Sequence, residues 1–169
     1  MRARLVLLLA GTVGLPAAPS VPLPLASVNP CRGSAAAVVV RTTDRTLFLC
    51  DGEREHARFP VALGSGGLGK RREGDGRTPL GAYPLGTPRP SQRFGTFVPV
   101  GYPTAEQARL GFSGGAIGIH GPVRALAAAG RLNTAADWTA GCIAVGSDDE
   151  ARAIAEWVRG HRQPTVHID

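Results

Sequence analysis

Aromatic residues make up only 5% of this 169-residue chain, and its 19 lysines and arginines are scattered rather than gathered in a stripe. A nucleic-acid surface needs a basic patch and, for single strands, rings on which bases stack, so both shortages argue against a nucleic-acid partner. The histidines at 56, 120, 161 and 167 fall at no ligand spacing and no Cys-x-x-Cys occurs, so neither a metal site nor a cofactor is expected. The chain also lacks an apolar run long enough for a stable membrane span.

At 17.5 kDa the chain has the length of one domain with a sizeable core and is short for two. Arg2 and Arg4 followed by the apolar run 5–10 have the order of a secretory signal. Cleavage after Ser20, in the triplet Ala18-Pro19-Ser20, would leave a mature chain starting at Val21. The expected organisation is therefore a signal peptide over 1–20, a Pro/Ala/Ser-rich linker over 21–35, and one domain over 36–169. The formal charge of +6 becomes +6 − 2 = +4 once Arg2 and Arg4 are removed. A basic exported protein of this kind suits an anionic polymer of the periplasm or cell envelope.

Short β-branched or apolar runs at 37–40, 46–50, 56–63, 81–85, 96–100, 117–120, 142–145 and 165–168 predict strands, the first two joined as a hairpin. Three helices punctuate them. Thr104 with Gln107 forms a capping box, Pro122 opens an Ala-rich run ending before Gly130, and Ser147 with Glu150 caps a helix whose apolar face carries Ala151, Ile154, Ala155 and Val158. The fold expected is mainly β with short helices. Residues 64–70 resemble nucleotide loops, but Arg71 stands where a phosphate loop needs Ser or Thr, and the residues after it suit no phosphate-facing helix.

Three cysteines leave at least one unpaired in a monomer. A hairpin turn near Thr43 and Asp44 sets Cys50 opposite Ala37 and leaves Cys31 six residues further along. That register decides little: Cys50 as a plain strand residue is the favoured reading, a Cys31 to Cys50 disulfide the other. Cys142 is the thiol whose setting suits a free nucleophile. It ends the turn Asp137-Trp138-Thr139-Ala140-Gly141-Cys142 and enters the apolar run from Ile143, where small neighbours leave room for a substrate carbonyl. Buried cysteines are commonly inert and lone histidines commonly structural. Yet His120 has the same placement as Cys142, beside a glycine at the end of an Ile-containing strand, so the two side chains suit a meeting over one cleft.

The run Gly74-Asp75-Gly76-Arg77-Thr78-Pro79-Leu80-Gly81-Ala82-Tyr83, the pair His120-Gly121 and the turn Thr139-Ala140-Gly141-Cys142-Ile143, in that order, resemble the L,D-transpeptidase (YkuD-like) family over roughly residues 36–169. The resemblance implies a β-sandwich-like domain acting on peptidoglycan stem peptides, with a wall-linked protein as a further partner. It implies Cys142 as nucleophile, His120 as general base and later acid, and the Gly141 and Cys142 N–H groups as oxyanion donors. The orienting partner of the histidine in this family is often a backbone carbonyl. Many members carry a cation two residues after the cysteine; here that position is Ala144. Substrate contact is therefore expected from Trp138, Thr139 and Arg124. A hydrolase of the same fold and a wall-binding module without turnover are the competing readings. A papain-like protease is disfavoured because His120 precedes Cys142.

Overall fold

The computed structural model describes residues 29–33 and 36–169, so the signal segment 1–20 and most of the linker 21–35 lie outside the described residues. Continuous apolar runs build the first hairpin from β1 (Ala36–Arg41) and β2 (Thr46–Asp51). One face sends Val38, Val40, Leu47 and Leu49 into the main core, while Val39 and Phe48 turn to the other side. β3 (Arg54–Ala62) follows, half-buried at every second residue until Val61 and Ala62, which are fully buried. Then come β4 (Gly81–Pro84), β5 (Arg89–Ser91), β6 (Gly95–Pro99), helix α1 (Ala105–Arg109), β7 (Gly118–His120), a 3-10 segment (Arg124–Thr134), β8 (Ile143–Val145), helix α2 (Asp148–Gly160) and β9 (Thr165–Ile168).

The strands form one curled nine-stranded sheet in the order β4-β9-β1-β2-β3-β8-β7-β6-β5. β3 carries the curl: its first part pairs with β2, whereas Val61 and Ala62 pair with Val145 and Ala144 of β8. The sandwich-like, mainly β architecture follows from that change of partner. β7 and β8 are parallel, with Ile119 opposite Ile143 and His120 opposite Ala144, so the segments bearing the histidine and the thiol run side by side.

Helix α2 lies over β6, β7 and β8. Ala151, Ile154, Ala155 and Val158 recur at one-turn spacing and are buried, as is Trp157. Ser147 Oγ accepts the Glu150 N–H at 3.2 Å, as the sequence predicts. Glu150 does not close the box on Ser147; its carboxylate accepts the Gly146 N–H at 2.8 Å. α1 has its full capping box, Thr104 Oγ1 accepting from Gln107 N and Gln107 Oε1 from Thr104 N.

Two expectations are corrected, and one strand is added. The Ala-rich run after Pro122 forms no α-helix ending at Gly130; it winds as 3-10 turns over Arg124–Thr134 with a break at Gly130. The buried Asn133 amide holds it there by donating to the carbonyls of Leu126, Gly130 and Gly146. β5 carries no strand signal because Pro90 occupies its middle, and it survives as the last strand of the sheet, where a missing N–H is tolerated. Cys50 is not a plain strand residue, for it is bonded to Cys31 with 5.2 Å between Cα atoms. The chain ahead of β1 makes a turn in which Asn29 Oδ1 accepts the Cys31 N–H and Asn29 Nδ2 donates to Glu53 O. Cys31 is thereby brought beside Cys50, Val39 and Phe48 rather than continuing the line of β1.

Candidate active site

Asp137, Trp138, Thr139 and Gly141 of the turn before Cys142 each have a structural task. Asp137 Oδ1 accepts the Leu63 N–H at 2.8 Å and pairs with Arg45 at 2.9 Å. Trp138 Nε1 donates to Asn133 O at 2.8 Å. Thr139 is 3% exposed; its hydroxyl donates to Cys142 O at 2.7 Å and accepts the Gly141 N–H at 3.1 Å. Gly141 has φ +123, and a Cβ there would lie 2.4 Å from the Arg77 carbonyl oxygen, so only glycine fits. The segment around Arg77 thus forms the floor of the Cys142 turn. The neighbouring glycine loop serves the same packing, since a Cβ on Gly64 would lie 2.3 Å from Gly76 O.

Cys142 is half-buried, with Sγ 3.5 Å from Ala116 O. Burial pushes its thiol above the ordinary value; the Gly118 N–H and the charges of Lys70 and Arg93 act in the opposite direction. His120, at the end of β7, is 1% exposed. Its Nδ1 lies 2.6 Å from the Gly121 carbonyl, which can only accept, so Nδ1 carries the proton and Nε2 keeps the lone pair. The Phe94 ring stacks on the imidazole at 3.7 Å and 18°, with Phe97 at 6.2 Å and Trp138 at 6.0 Å. Burial lowers the His120 pKa to about 4; the Gly121 carbonyl opposes this and Arg93 reinforces it. Near neutral pH the resting pair is therefore a thiol and a neutral imidazole, an arrangement in which any attack by the sulfur requires proton transfer.

Both side chains line one cavity of about 470 Å³, with Arg89, Arg93, Phe94, Phe97, Trp138 and Thr139 among its other walls. A depression of about 510 Å³ bounded by Arg71, Arg72, Arg77 and Phe112 lies elsewhere and contains neither a histidine nor a thiol. Trp138 lines the cavity. The Thr139 hydroxyl is not turned toward a substrate, because both its hydrogen bonds close the turn. Arg124 does not line the cavity: its backbone N–H donates to the Arg93 carbonyl at 3.1 Å, but its Nη1 faces Asp148 Oδ2 at 3.6 Å. Arg89, Arg93, Phe94 and Phe97 were not expected at the site. The available clue is register: Phe97 lies opposite His120, and Arg89 opposite Phe97. Among the described residues no cluster of three or more His, Cys, Asp or Glu side chains could hold a metal, and no helix is long and apolar enough to cross a membrane.

The family model for the L,D-transpeptidase catalytic domain, YkuD, matches residues 35–168. Among solved structures, the helical cell shape determining protein Pgp2 from Campylobacter jejuni is 26% identical, with a TM-score of 0.66 over 85% of this chain and 52% of that one. Its K307A mutant is 28% identical, at 0.64 over 79% and 46%. The L,D-transpeptidase from Xylanimonas cellulosilytica shares the fold at 19% identity, with a TM-score of 0.51 over 83% of this chain and 63% of that one. The chain thus spans about half the length of the Pgp2 structures. No curated protein matches it.

Proposed function

The chain belongs to the YkuD family of L,D-transpeptidase catalytic domains, and from that membership we propose that it is a cysteine-dependent acyltransferase acting on peptidoglycan stem peptides. The observation that carries this reading is the convergence of Cys142 and a buried neutral His120, oriented by Gly121 O, in one cavity. His120 Nε2 takes the thiol proton as Sγ attacks the carbonyl of the third stem residue. The tetrahedral oxyanion is met by the Cys142 N–H, and by the Gly141 N–H if its bond to Thr139 Oγ1 is released. The imidazolium then returns the proton to the departing amine of the terminal D-residue, leaving a thioester on Cys142. An amine from a second stem, or from a wall-linked protein, attacks that thioester and regenerates the thiol; water in its place makes the same protein a hydrolase.

Placement in the periplasm or envelope is part of this proposal. The Cys31 to Cys50 disulfide supports it, because such bonds persist in oxidising compartments. Incubation with a defined tetrapeptide stem, with and without an amine acceptor, tests the reading by mass spectrometry. Loss of the terminal D-residue with transfer to the amine supports transpeptidation, loss with water alone supports hydrolysis, and an unchanged peptide contradicts both.

A further inference from the structure

Stem peptides carry carboxylates, and a carboxylate entering a half-enclosed cavity needs a cation to replace its water. Neither residue 144 nor Arg124 supplies one. Residue 144 is a fully buried alanine, and Arg124 faces Asp148 outside the cavity. The cations that do line it are Arg89 and Arg93.

Their placement follows from the sheet. Arg89 is opposite Phe97, Phe97 opposite His120, and His120 opposite Ala144, so one row of paired residues crosses four strands and shares a face. The row that has no charge at 144 has one at its far end, beyond the histidine. Arg89 Cζ lies 5.0 Å from the Phe97 ring centre, and Arg93 Cζ lies 5.1 Å from that of Phe94. These rings are the ones stacked alongside His120, so each guanidinium is steered by an aromatic face that is itself fixed in the site. Neither arginine forms an ion pair among the described residues, whereas Lys70, the other cation acting on Cys142, is engaged by Asp75 at 2.8 Å. The influence of Arg93 on both His120 and Cys142 agrees with its lying close to the reacting groups.

Resting on the proposed function, we propose that Arg93, with Arg89, forms the wall that recognises a free carboxylate of the acyl-donor stem peptide. That carboxylate belongs either to the departing terminal residue or to the third residue's own side chain. Both present the same charge, and the test separates them.

The test uses the full chain carrying Cys142→Ala, so that binding is read without turnover. Calorimetric Kd values are measured for a tetrapeptide stem with both carboxylates free, for its C-terminal amide, and for the form amidated on the third residue. One amide should bind about tenfold more weakly than the free acid, the size of one charge-assisted contact, and which amide does so identifies the carboxylate. Arg93→Ala should weaken the free acid by about the same factor while leaving that amide unchanged, and Arg93→Lys should recover most of the loss; Arg89→Ala should show the same pattern with a smaller factor. Equal weakening of all three peptides, or none, would overturn the carboxylate assignment while leaving the stem-peptide reading standing. Failure of every peptide to bind would overturn both. Thermal unfolding of each variant shows whether a loss reflects the fold, and the free-acid to amide ratio within one variant is insensitive to its folded fraction.

Discussion

The depressed basicity of His120 can be tested by removing its cover. The ring is 1% exposed with Phe94 stacked 3.7 Å away, and burial carries its pKa from 6.5 to about 4, with Arg93 aiding and the Gly121 carbonyl opposing. At about 1.4 kcal/mol per unit, that difference favours the neutral ring by roughly 3 kcal/mol. Between those two values the unfolded chain binds a proton that the folded chain refuses. This contribution to stability is complete above about pH 6.5 and disappears as pH falls toward about 4. In the proposed reaction the neutral ring is also the base, so the acid limb of kcat/KM should lie near pH 4. Phe94→Ala admits water to one face of the ring and should raise the His120 pKa by about one unit or more, moving the acid limb with it. NMR titration of the His120 ring in a Cys142→Ala background reads the first quantity, and acylation rates against pH read the second. A limb near 6.5 in the parent protein, or one that Phe94→Ala does not move, would refute the argument.

Other perturbations have effects of definite sign. Gly141→Ala forces a side chain against the Arg77 carbonyl at positive φ and should slow acylation by about 10²-fold through displacement of Cys142; an unimpaired rate would show the turn to be more accommodating than its geometry implies. Replacing both Cys31 and Cys50 by alanine opens a loop of 19-residue separation and should cost about 3 kcal/mol in denaturant unfolding, a figure that an unchanged midpoint would contradict. Asp75 is pushed upward by burial, but the N–H groups of Arg72, Arg71 and Arg77 and the Lys70 ammonium outweigh this and hold it well below the usual carboxylate range. Because the Lys70 side chain is 3% exposed, Asp75→Asn should destabilise by about 3 kcal/mol or more through an uncompensated buried charge; chemical denaturation checks this, and a neutral effect would mean that Lys70 finds another partner.

Local pattern and long-range placement were not equally legible in the sequence. The continuous runs around Val38 to Val40 and Leu47 to Leu49 announce their strands by β-branched and apolar content, and Ser147 announces α2 by its cap, because those signals lie within a few residues. The thiol and imidazole stand out for the same reason, each in a short motif beside a glycine. Arg89 and Phe94 give no comparable sign. Pro90 hides the strand of Arg89, Phe94 sits in the turn between β5 and β6, and the relation of both to His120 exists only once β5 and β6 have paired onto β7. Arg124 shows the converse: it follows the His120 motif closely in sequence, yet the turn through Pro122 directs it toward Asp148 at the start of α2. The Cys31 to Cys50 bond was undecided because strand register says nothing about a segment that turns before its strand begins. Thr139 belongs to the nucleophile motif, but its buried environment commits the hydroxyl to the turn.

The central claim is that Cys142 is acylated with His120 as its base. Its most direct test is intact-protein and peptide mass spectrometry after reaction with a carbapenem-like β-lactam, whose strained ring presents an acyl group to the site. The account predicts one adduct mapped to Cys142, none on Cys142→Ala, and acylation of His120→Ala slowed by roughly 10²–10⁴-fold. Absence of an adduct from the parent protein, an adduct on another residue, or an unchanged rate for His120→Ala would contradict it.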